Sequence, residues 1–325
     1  MCFEGLSVKR DIFPARMPDA PDRWFVERRD FLRVSAVSLA GLLTFRGADW
    51  VEAGPVGPGV RFGVLTDPHY ADAPSRGTRF YRESRAKVRE AVTHLEAARV
   101  TFLAQLGDIK DMVAGESPER TLDHLSLITH ETARFNGPVY HVLGNHDMDN
   151  VSKPQALSLL RSTDVAEGRS FYSFSRGGVR FITLDACYTQ AGLDYDRGNF
   201  DWRDANVPAA ELAWLRGELA GSAEPVIVLA HQRLDGAGDV YVTNSAAVRE
   251  AFEASGKVLA VFQGHDHAGA RSTLGGIHYY TLKAIVEGSG HDNNAYAVVH
   301  VHSDLSISVR GYRKAETAEF VRATK

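Results

Sequence analysis

The sequence predicts an α/β fold, in which strands and helices alternate along most of the chain. From Val60 onward, short apolar runs of strand length alternate with longer stretches that carry apolar residues at helical spacing. The chain has 325 residues, of which 44% are hydrophobic and 24% are charged, so it can bury an ordinary globular core without disulfide bonds. We therefore expect one large domain at residues 60–325, preceded by an N-terminal extension.

Three strands and two helices are predicted in the first half of this domain. The first helix has Val88, Ala91, Val92 and Leu95 on one face, which is the pattern of a helix packed on a core. Each strand ends in a turn that contains glycine or proline beside polar residues. The predicted strands are residues 61–66, 101–106 and 138–143, and the predicted helices are residues 79–98 and 118–133.

The second half begins with a predicted hairpin, in which residues 170–175 and 179–184 flank Arg176-Gly177-Gly178. Residues 186–207 then form a polar and aromatic loop, which is too long for a neutral connector in a compact domain and is expected to be functional. The remaining predicted elements are helices at residues 208–220 and 245–254 and strands at residues 225–230, 257–263, 277–282, 296–302 and 305–310.

Polar clusters follow five of the predicted strands. A single cluster such as Gly144-Asn145-His146-Asp147 would be an ordinary strand-ending turn, but five such clusters are a much stronger signal. Because loops at the carboxyl ends of strands meet in one crevice of an α/β fold, we expect the clusters to converge. The clusters are Asp67 with His69, Asp108, Asn145 with His146, His231, and His265 with His267.

The residue types in these clusters indicate a metal site. Carboxylates, an amide oxygen and imidazoles suit borderline divalent ions such as Mn²⁺, Fe²⁺ or Zn²⁺, and none of the clusters contains a thiolate. In Asp67-Pro68-His69 and in His265-Asp266-His267, alternation along an extended segment would direct both ligands to the same side.

Charge and cysteine content bear on the partner and on disulfide bonds. The formal net charge of -4 and the absence of a long basic run argue against nucleic acid as the main partner. The sequence contains two cysteines, Cys2 and Cys187, and removal of the N-terminal extension would leave one, which cannot form an internal disulfide.

The N-terminal extension resembles a bacterial twin-arginine export signal. Arg28-Arg29 and Phe31-Leu32 precede an apolar run at residues 34–45, which is short and rich in small residues for a membrane span. We expect a signal at residues 1–53, cleaved after Ala53, followed by a flexible glycine and proline segment at residues 54–59. This interpretation implies the twin-arginine export machinery as a partner, a periplasmic or secreted location, and no stable membrane anchor. An N-terminal amphipathic helix packed on the domain is the alternative.

The strand-end motifs, in their order along the chain, resemble the calcineurin-like metallophosphoesterase family over nearly all of residues 60–312. The resemblance implies a four-layer α/β/β/α sandwich with a dinuclear site at the carboxyl ends of the strands. It also implies two divalent ions (Mn, Fe or Zn) that share Asp108. The implied ligands are Asp67, His69, Asp108 and His267 for one ion, and Asp108, Asn145, His231 and His265 for the other.

The same resemblance implies a phosphohydrolase. A metal-bound hydroxide would attack phosphorus, His146 would act as general acid, and Asp147 would orient His146. A role for Asp111 behind the site and a plain exposed carboxylate are both open, and Lys110 is expected to be solvated. The expected substrates are small phosphodiesters, pyrophosphate-linked nucleotides or phosphomonoesters. A non-catalytic module that binds metal or phosphate is the alternative function.

Several stretches resemble the manganese-dependent ADP-ribose and CDP-alcohol diphosphatase branch of this family, notably Phe62–Val64, Arg79–Ser84, Gln105–Ile109 and Asp194–Phe200. His69 is a departure, because that branch often carries Gln at this position. Six side chains are candidates for holding a substrate phosphate or sugar, with surface packing or turn formation as the alternative role of each. They are Arg79, Arg82, Arg197, His291, Asn293 and Asn294.

Overall fold

The computed structural model describes residues 59–321, which form two six-stranded sheets with helices on their outer faces. The predicted export signal and residues 54–58 lie outside the described residues, as do residues 322–325. The elements are β1 (Gly59–Leu65), α1 (Ser84–Ala97), β2 (Leu103–Gln105), α2 (Pro118–Thr132), β3 (Val139–His141), α3 (Lys153–Leu159), β4 (Tyr172–Arg176), β5 (Val179–Thr183), α4 (Ala209–Gly221), β6 (Val226–Leu229), α5 (Ser245–Ser255), β7 (Val258–Gln263), β8 (Ala270–Leu274), β9 (Ile277–Thr281), β10 (Ala295–His302), β11 (Ile307–Arg313) and β12 (Ala318–Phe320).

The first sheet has the strand order β12-β11-β10-β1-β2-β3. Strands β1, β2 and β3 are parallel neighbours, whereas β10, β11 and β12 extend the sheet antiparallel to one another. The parallel strands need crossovers, and α1 and α2 supply them. Three successive strands therefore end at the same edge of this sheet.

The second sheet has the order β4-β5-β6-β7-β9-β8. The predicted hairpin is confirmed as β4 and β5, and β5, β6, β7 and β9 then run parallel. Helices α4 and α5 make the crossovers between β5 and β6 and between β6 and β7. The ends of β6 and β7 thus add two more loops to the site.

Three apolar layers separate the sheets and helices. Between the sheets, Phe62 stacks on Phe102 at 5.0 Å between ring centroids and meets the edges of Phe181 and Phe262. A second layer, which includes Leu95, lies between the first sheet and helices α1 to α3, and a third lies between the second sheet and helices α4 and α5. This order is helix, sheet, sheet, helix, so the predicted four-layer sandwich is confirmed.

The structure differs from the predicted elements in a few places. Helix α1 begins at Ser84 rather than at Arg79, because Arg79 forms bridges with Arg76 and Glu287 and residues Tyr81–Glu83 form one 3-10 turn. Helix α3 and strands β8 and β12 were not predicted. Strand β8 lies at a sheet edge and is largely exposed, so it lacks the apolar alternation that identifies a strand.

Hydrogen bonds join the strand ends of both sheets. Within the first sheet, the Asp67 N–H donates to the Gly107 carbonyl at 3.1 Å, and within the second, the Gly264 N–H donates to the His231 carbonyl at 2.9 Å. The His265 N–H then donates to Asp67 Oδ2 at 3.2 Å, which links the two sheets. None of the helices described in residues 59–321 combines the length and apolar character needed to cross a membrane.

Candidate metal centre

The five strand-end clusters meet in one buried centre. Its donor atoms include two groups of three residues in which each donor atom lies within 4.8 Å of the others. Asp67, His69 and His267 form one group, and Asp108, His231 and His265 form another. The five loops therefore converge as predicted. They come from two sheets rather than from a single open sheet.

In the first group, the imidazoles face two carboxylates. His69 Nε2 lies 3.0 Å from His267 Nε2, 3.6 Å from Asp67 Oδ1 and 3.4 Å from Asp108 Oδ2. His267 Nε2 also lies 3.5 Å from Asp67 Oδ1. Four donors thus point at a common space of the size that one cation fills.

In the second group, Asp108 Oδ2 lies 3.1 Å from His231 Nε2. The same oxygen is the one that faces His69 Nε2 in the first group. One carboxylate oxygen therefore lies between both groups, which is the position a bridging ligand needs.

Unpaired buried atoms show that this donor set fits two metal ions. Polar atoms inside a protein are nearly always hydrogen-bonded, because leaving one unpaired costs about 1–3 kcal/mol. Within the described residues, 17 buried side-chain nitrogen and oxygen atoms lack a hydrogen-bond partner, and the implied ligands contribute five of them. One is His69 Nδ1, which faces Asp111, and the other four are Asp67 Oδ1, Asn145 Oδ1, His231 Nε2 and His265 Nε2. Divalent cations would satisfy them together, and the oxygen and nitrogen donors suit manganese.

Hydrogen bonds at Nδ1 fix the orientation of two of the imidazoles. The His231 ring bonds the Leu106 carbonyl through Nδ1 at 2.7 Å, and the His267 ring bonds Glu287 Oε1 through Nδ1 at 2.6 Å. Each contact makes Nδ1 the protonated nitrogen and leaves the Nε2 lone pair for a metal ion. Glu287 was not identified from the sequence, since it lies 20 residues from His267 and outside every strand-end motif.

The backbone of several ligands adopts a conformation that non-glycine residues rarely use. Asp67, His69, Asp108 and His265 have φ between 44° and 65°, in the left-handed region. The expectation that Asp67 and His69 lie on one extended segment is therefore wrong. The turns direct these side chains inward instead, and such strain persists where the surrounding structure fixes it, as at functional sites.

Two glycines permit the close approach of the loops. A Cβ on Gly144 would lie 2.1 Å from the Asp108 nitrogen and 2.3 Å from Asp108 Oδ1. A Cβ on Gly264 would lie 2.6 Å from Asp67 Oδ2. All three distances are far below van der Waals contact, so the packing of the centre requires the glycines before Asn145 and His265.

His146 lies beside the metal ligands, and Asp111 orients it. The His146 ring donates from Nδ1 to Asp111 Oδ1 at 2.9 Å, and Asp111 Oδ2 lies 3.5 Å from His69 Nδ1. Both oxygens of Asp147 instead accept backbone N–H groups, from Ile109 at 2.8 Å and from Gly144 at 2.8 Å. The prediction that Asp147 orients His146 is therefore wrong, because backbone amides of the adjoining loops occupy that carboxylate.

Lys110 is also placed differently from the prediction. Its side chain is fully buried rather than solvated, and its ammonium forms an ion pair with Asp149. The second oxygen of Asp149 lies 3.6 Å from His146 Nδ1. Two carboxylates, Asp111 and Asp149, therefore face the same imidazole nitrogen.

The carboxylates dominate the electrostatics of the centre. Burial opposes the charged form of Asp108, yet the imidazoles of His231, His146 and His69 hold the pKa of this carboxyl well below its ordinary value. Burial likewise lowers the pKa of His146, but Asp111 and Asp108 outweigh it and raise this pKa well above its ordinary value. Burial and the charge of Asp108 raise the pKa of Asp147 to about 6.

The histidines among the implied metal ligands differ in their pKa values. Burial lowers the pKa of His231, but the charge of Asp108 raises it to about 9. Asp67 and Glu287 raise the pKa of His267 to about 9 against the same effect of burial. Burial and the charge of His231 lower the pKa of His265 to about 3. Metal ions bind neutral imidazole, so cations in this centre replace protons on His231 and His267.

A cavity of about 370 Å³ opens above the centre, which is the size of a small-molecule site. It is lined by Arg79, Asp108, Asn145, His146, Trp202, Val240, His265, Asp266 and His267. Arg79 is therefore in reach of a substrate, with its guanidinium 3.8 Å from Asp111. Trp202 and Val240 were not identified individually from the sequence, although Trp202 belongs to the long loop expected to be functional.

The other five substrate candidates do not line this cavity. Arg82 pairs with Asp72, and Arg197 pairs with Asp196. His291 bonds Glu90, the Asn293 amide donates to the Ser289 carbonyl, and Asn294 is wholly buried, where its amide donates to the Lys87 carbonyl. These side chains hold loops and termini together, so the alternative role of packing and turn formation describes them.

Comparisons with known proteins agree with this geometry. Residues 60–269 match the calcineurin-like phosphoesterase family. The chain is 27% identical over 302 residues to the manganese-dependent ADP-ribose/CDP-alcohol diphosphatase of Oryza sativa subsp. japonica, covering 79% of this chain and 92% of that relative. It is 27% identical over 308 residues to the protein of the same name from Danio rerio, covering 77% of this chain and 94% of that relative.

A solved structure supports the same assignment. The crystal structure of a dimetal phosphatase from Danio rerio superimposes with a TM-score of 0.71 at 25% sequence identity, covering 82% of this chain and all of the other. The family match spans more than half of the chain, and the buried donors of this structure fit two divalent ions. The chain therefore belongs to the calcineurin-like phosphoesterase family, as a hydrolase of phosphate ester or pyrophosphate bonds that uses two divalent metal ions.

Proposed function

We propose that the chain hydrolyses the pyrophosphate bond of small nucleotides in which a nucleoside diphosphate is linked to a sugar or an alcohol, with manganese as the preferred metal. The observation that carries the proposal is a complete set of buried donors beside an oriented histidine, next to one cavity that His146 and four of the donors line. The names of the relatives, which act on ADP-ribose and CDP-alcohols, support the substrate class.

Two groups of side chains would hold the ions. One consists of Asp67, His69, Asp108 and His267, and the other of Asp108, Asn145, His231 and His265. When bound, two such ions lower the pKa of water and neutralise phosphate oxygens during an in-line displacement. The pKa of Asp108, which the neighbouring imidazoles hold well below its ordinary value, favours the charged form of this shared carboxylate.

His146 would deliver a proton to the leaving oxygen. Its Nδ1 is occupied by Asp111, so Nε2 is the nitrogen that remains for a substrate in the cavity. Its charged form is favoured by Asp111 and Asp108, and a charged imidazole can protonate a departing phosphate oxygen. Asp111 fixes the ring orientation that this transfer needs.

Arg79 would hold the phosphate that does not react. Its guanidinium is about one-third exposed and lies at the cavity wall near Asp111 and Glu287, so it is restrained but not fully paired. A pyrophosphate bears a second anionic group next to the scissile bond, and an arginine can bind such a group through two parallel hydrogen bonds. A phosphomonoester offers no such group.

A substrate panel tests the proposal. We expect purified full-length chain with added Mn²⁺ to hydrolyse ADP-ribose and CDP-choline faster than bis(p-nitrophenyl) phosphate, and p-nitrophenyl phosphate most slowly. Arg79→Ala should reduce kcat/KM for ADP-ribose about 10-fold or more while changing the monoester rate little. A preference for the monoester would contradict the substrate class, although it would leave the phosphohydrolase assignment intact.

The non-catalytic alternative has a separate readout. It predicts that ADP-ribose or phosphate binds the metal-loaded protein in equilibrium dialysis and is recovered unchanged. The oriented His146 argues against it, because a module that only binds phosphate has no need of a proton donor beside its metal ligands.

A further inference from the structure

Trp202 occupies an unusual position for a large aromatic residue. It lies at the cavity wall with 43% of its surface exposed, and its ring centroid is 5.8 Å from that of His265. Tryptophan is highly buried on average in folded proteins, so a ring that leaves 43% of its surface open at a cavity wall is available to a ligand. The exposed ring therefore stands next to the metal ligands at one end of the cavity.

Two other aromatic rings of the loop that carries Trp202 pack against each other. Tyr195 is fully buried and stacks on Phe200 with centroids 3.9 Å apart. The loop is also tied to the domain, since the Tyr195 N–H donates to the Cys187 carbonyl and the Asn206 N–H to the Ala186 carbonyl, both at 3.0 Å. The Trp202 side chain is therefore partly exposed to solvent, although its loop is anchored to the domain.

Charges near the ring select the kind of ligand that would cover it. Asp201 is paired with Arg203 at 2.5 Å, and Asp266, which shares the cavity wall, is paired with Arg233 at 2.7 Å. Each of these two carboxylates is thus paired, and the Arg203 guanidinium lies 5.8 Å from the centroid of the Trp202 ring, so both pairs and this cation offer little attraction to a quaternary ammonium group. Val240 adds apolar surface to the same wall. These surroundings favour a flat and uncharged ring over a cation.

We propose that Trp202 is the stacking platform for the nucleobase of the substrate. This inference rests on the proposed function, because it takes the phosphate to lie at the metal centre next to His265. A nucleoside then extends from the phosphate by one sugar, and among the described residues that line the cavity Trp202 is the one that offers a large aromatic ring to its base. Stacking on an aromatic side chain tolerates any base, since every base has a π face.

A matched pair of chromogenic diesters tests the platform. Thymidine 5′-monophosphate p-nitrophenyl ester and methyl p-nitrophenyl phosphate release the same leaving group, but the first carries a nucleoside where the second carries a methyl group. In Trp202→Ala, the ratio of kcat/KM for the nucleoside diester to that for the methyl diester should fall about 10-fold to 100-fold, mainly through KM. Trp202→Phe should restore most of the ratio.

Leu193→Ala is the matched control, because Leu193 is an exposed apolar residue of the same loop that does not line the cavity. It should leave the ratio unchanged. An equal loss on both diesters, or an unchanged ratio in Trp202→Ala, would overturn the inference.

Binding provides a readout that needs no turnover. Calorimetric titration of the manganese-loaded protein with thymidine 5′-monophosphate should show a Kd that rises by a similar factor in Trp202→Ala. If this shift occurs but the wild type does not hydrolyse ADP-ribose, the base platform stands and the proposed function fails. If ADP-ribose is hydrolysed and the Kd does not shift, the inference fails and the proposed function stands. Tighter binding of phosphocholine than of the nucleotide, lost in Trp202→Ala, would also overturn it.

Discussion

Asp111 is the residue whose role the structure defines most sharply. Asp147 is the neighbour of His146 in the sequence, whereas Asp111 precedes His146 by 35 residues, so adjacency alone favours Asp147. The choice depends on which carboxylate the backbone uses: Asp147 accepts two amide N–H groups of adjoining loops, so Asp111 is left for the imidazole. By contrast, the metal ligands could be identified from the sequence, because each of them follows a strand directly.

Asp111→Asn tests this role. An amide cannot hold the charged imidazole as a carboxylate does, so we expect kcat for ADP-ribose to fall about 10²-fold to 10⁴-fold at saturating Mn²⁺. Because both residues act in one proton transfer, the variant that combines Asp111→Asn with His146→Ala should lose no more rate than His146→Ala alone. Losses that multiply would mean that Asp111 acts independently of His146, and the metal content of each variant provides the control.

Gly144 tests whether close packing of the loops builds the centre. In Gly144→Ala, the new methyl group would meet Asp108 at 2.1–2.3 Å, so the shared ligand must move. We expect at least a 10-fold loss of manganese affinity and a lower melting temperature. Gly217→Ala is the matched control, because Gly217 lies inside α4 with no heavy atom within 4 Å of the added carbon. That change should stabilise the protein by about 0.5–1 kcal/mol, and unaltered metal affinity in Gly144→Ala would contradict the packing argument.

At the scale of elements, apolar periodicity predicts the strands and helices that carry the site, to within a few residues at their ends. It cannot predict elements whose stability comes from their neighbours. Helix α3 has seven residues and depends on a Ser152 and Gln155 capping box, and β8 depends on pairing with β9. The same limit applies to Glu287, which reaches His267 only because the chain after β9 returns to the site.

Glu131 of α2 links two helices on the outer face of the first sheet. It is 1% exposed and accepts hydrogen bonds from Arg85 and Arg89 of α1 at 2.7–3.0 Å. The bond from Arg89, followed by that from Arg85, lowers the pKa of Glu131 to about 2 from an ordinary value of 4.5. A carboxyl with a lowered pKa stabilises the fold fully above about pH 4.5 and loses that contribution as the pH falls towards 2.

We therefore expect Glu131→Gln to lower the free energy of unfolding at pH 7 by about 1–2 kcal/mol, since both arginines are partly exposed and solvent screens the pairs. Urea unfolding at pH 7, 5 and 3.5 should show the difference from wild type shrinking only at the lowest pH. Glu250→Gln is the control, because Glu250 is exposed and takes part in no ion pair within residues 59–321. A difference that is constant across this range would contradict the linkage.

At the scale of the whole molecule, the site is assembled from both sheets. The sequence identifies five strand ends that carry ligands, but which sheet each strand joins depends on pairing across the chain. The sandwich brings β1, β2 and β3 of one sheet against β6 and β7 of the other, and the bond from His265 to Asp67 closes the centre. Substrate residues are harder to predict, since surface arginines such as Arg82 and Arg197 look alike in sequence whether or not they reach the cavity.

The N-terminal extension leads to a prediction about export. We propose that residues 1–53 direct the folded domain through a twin-arginine pathway, on the basis of Arg28-Arg29 and the apolar run that follows. Changing Arg28 and Arg29 to Lys in a bacterial host should retain the protein in the cytoplasm, as measured by fractionation. Replacing Arg46 with Lys is the control and should leave export unchanged, whereas export of the Arg28 and Arg29 variant at the wild-type level would refute the assignment.

Hydrolysis is expected to need two metal ions that share Asp108 as a ligand. Titration of metal-free protein with Mn²⁺, with ADP-ribose cleavage as the readout, tests this requirement. We predict no turnover without metal and a rate that reaches its plateau at two equivalents of manganese per chain, because each group of ligands must hold one ion. Full turnover in the metal-free protein, or a plateau at one equivalent, would contradict the requirement for two ions.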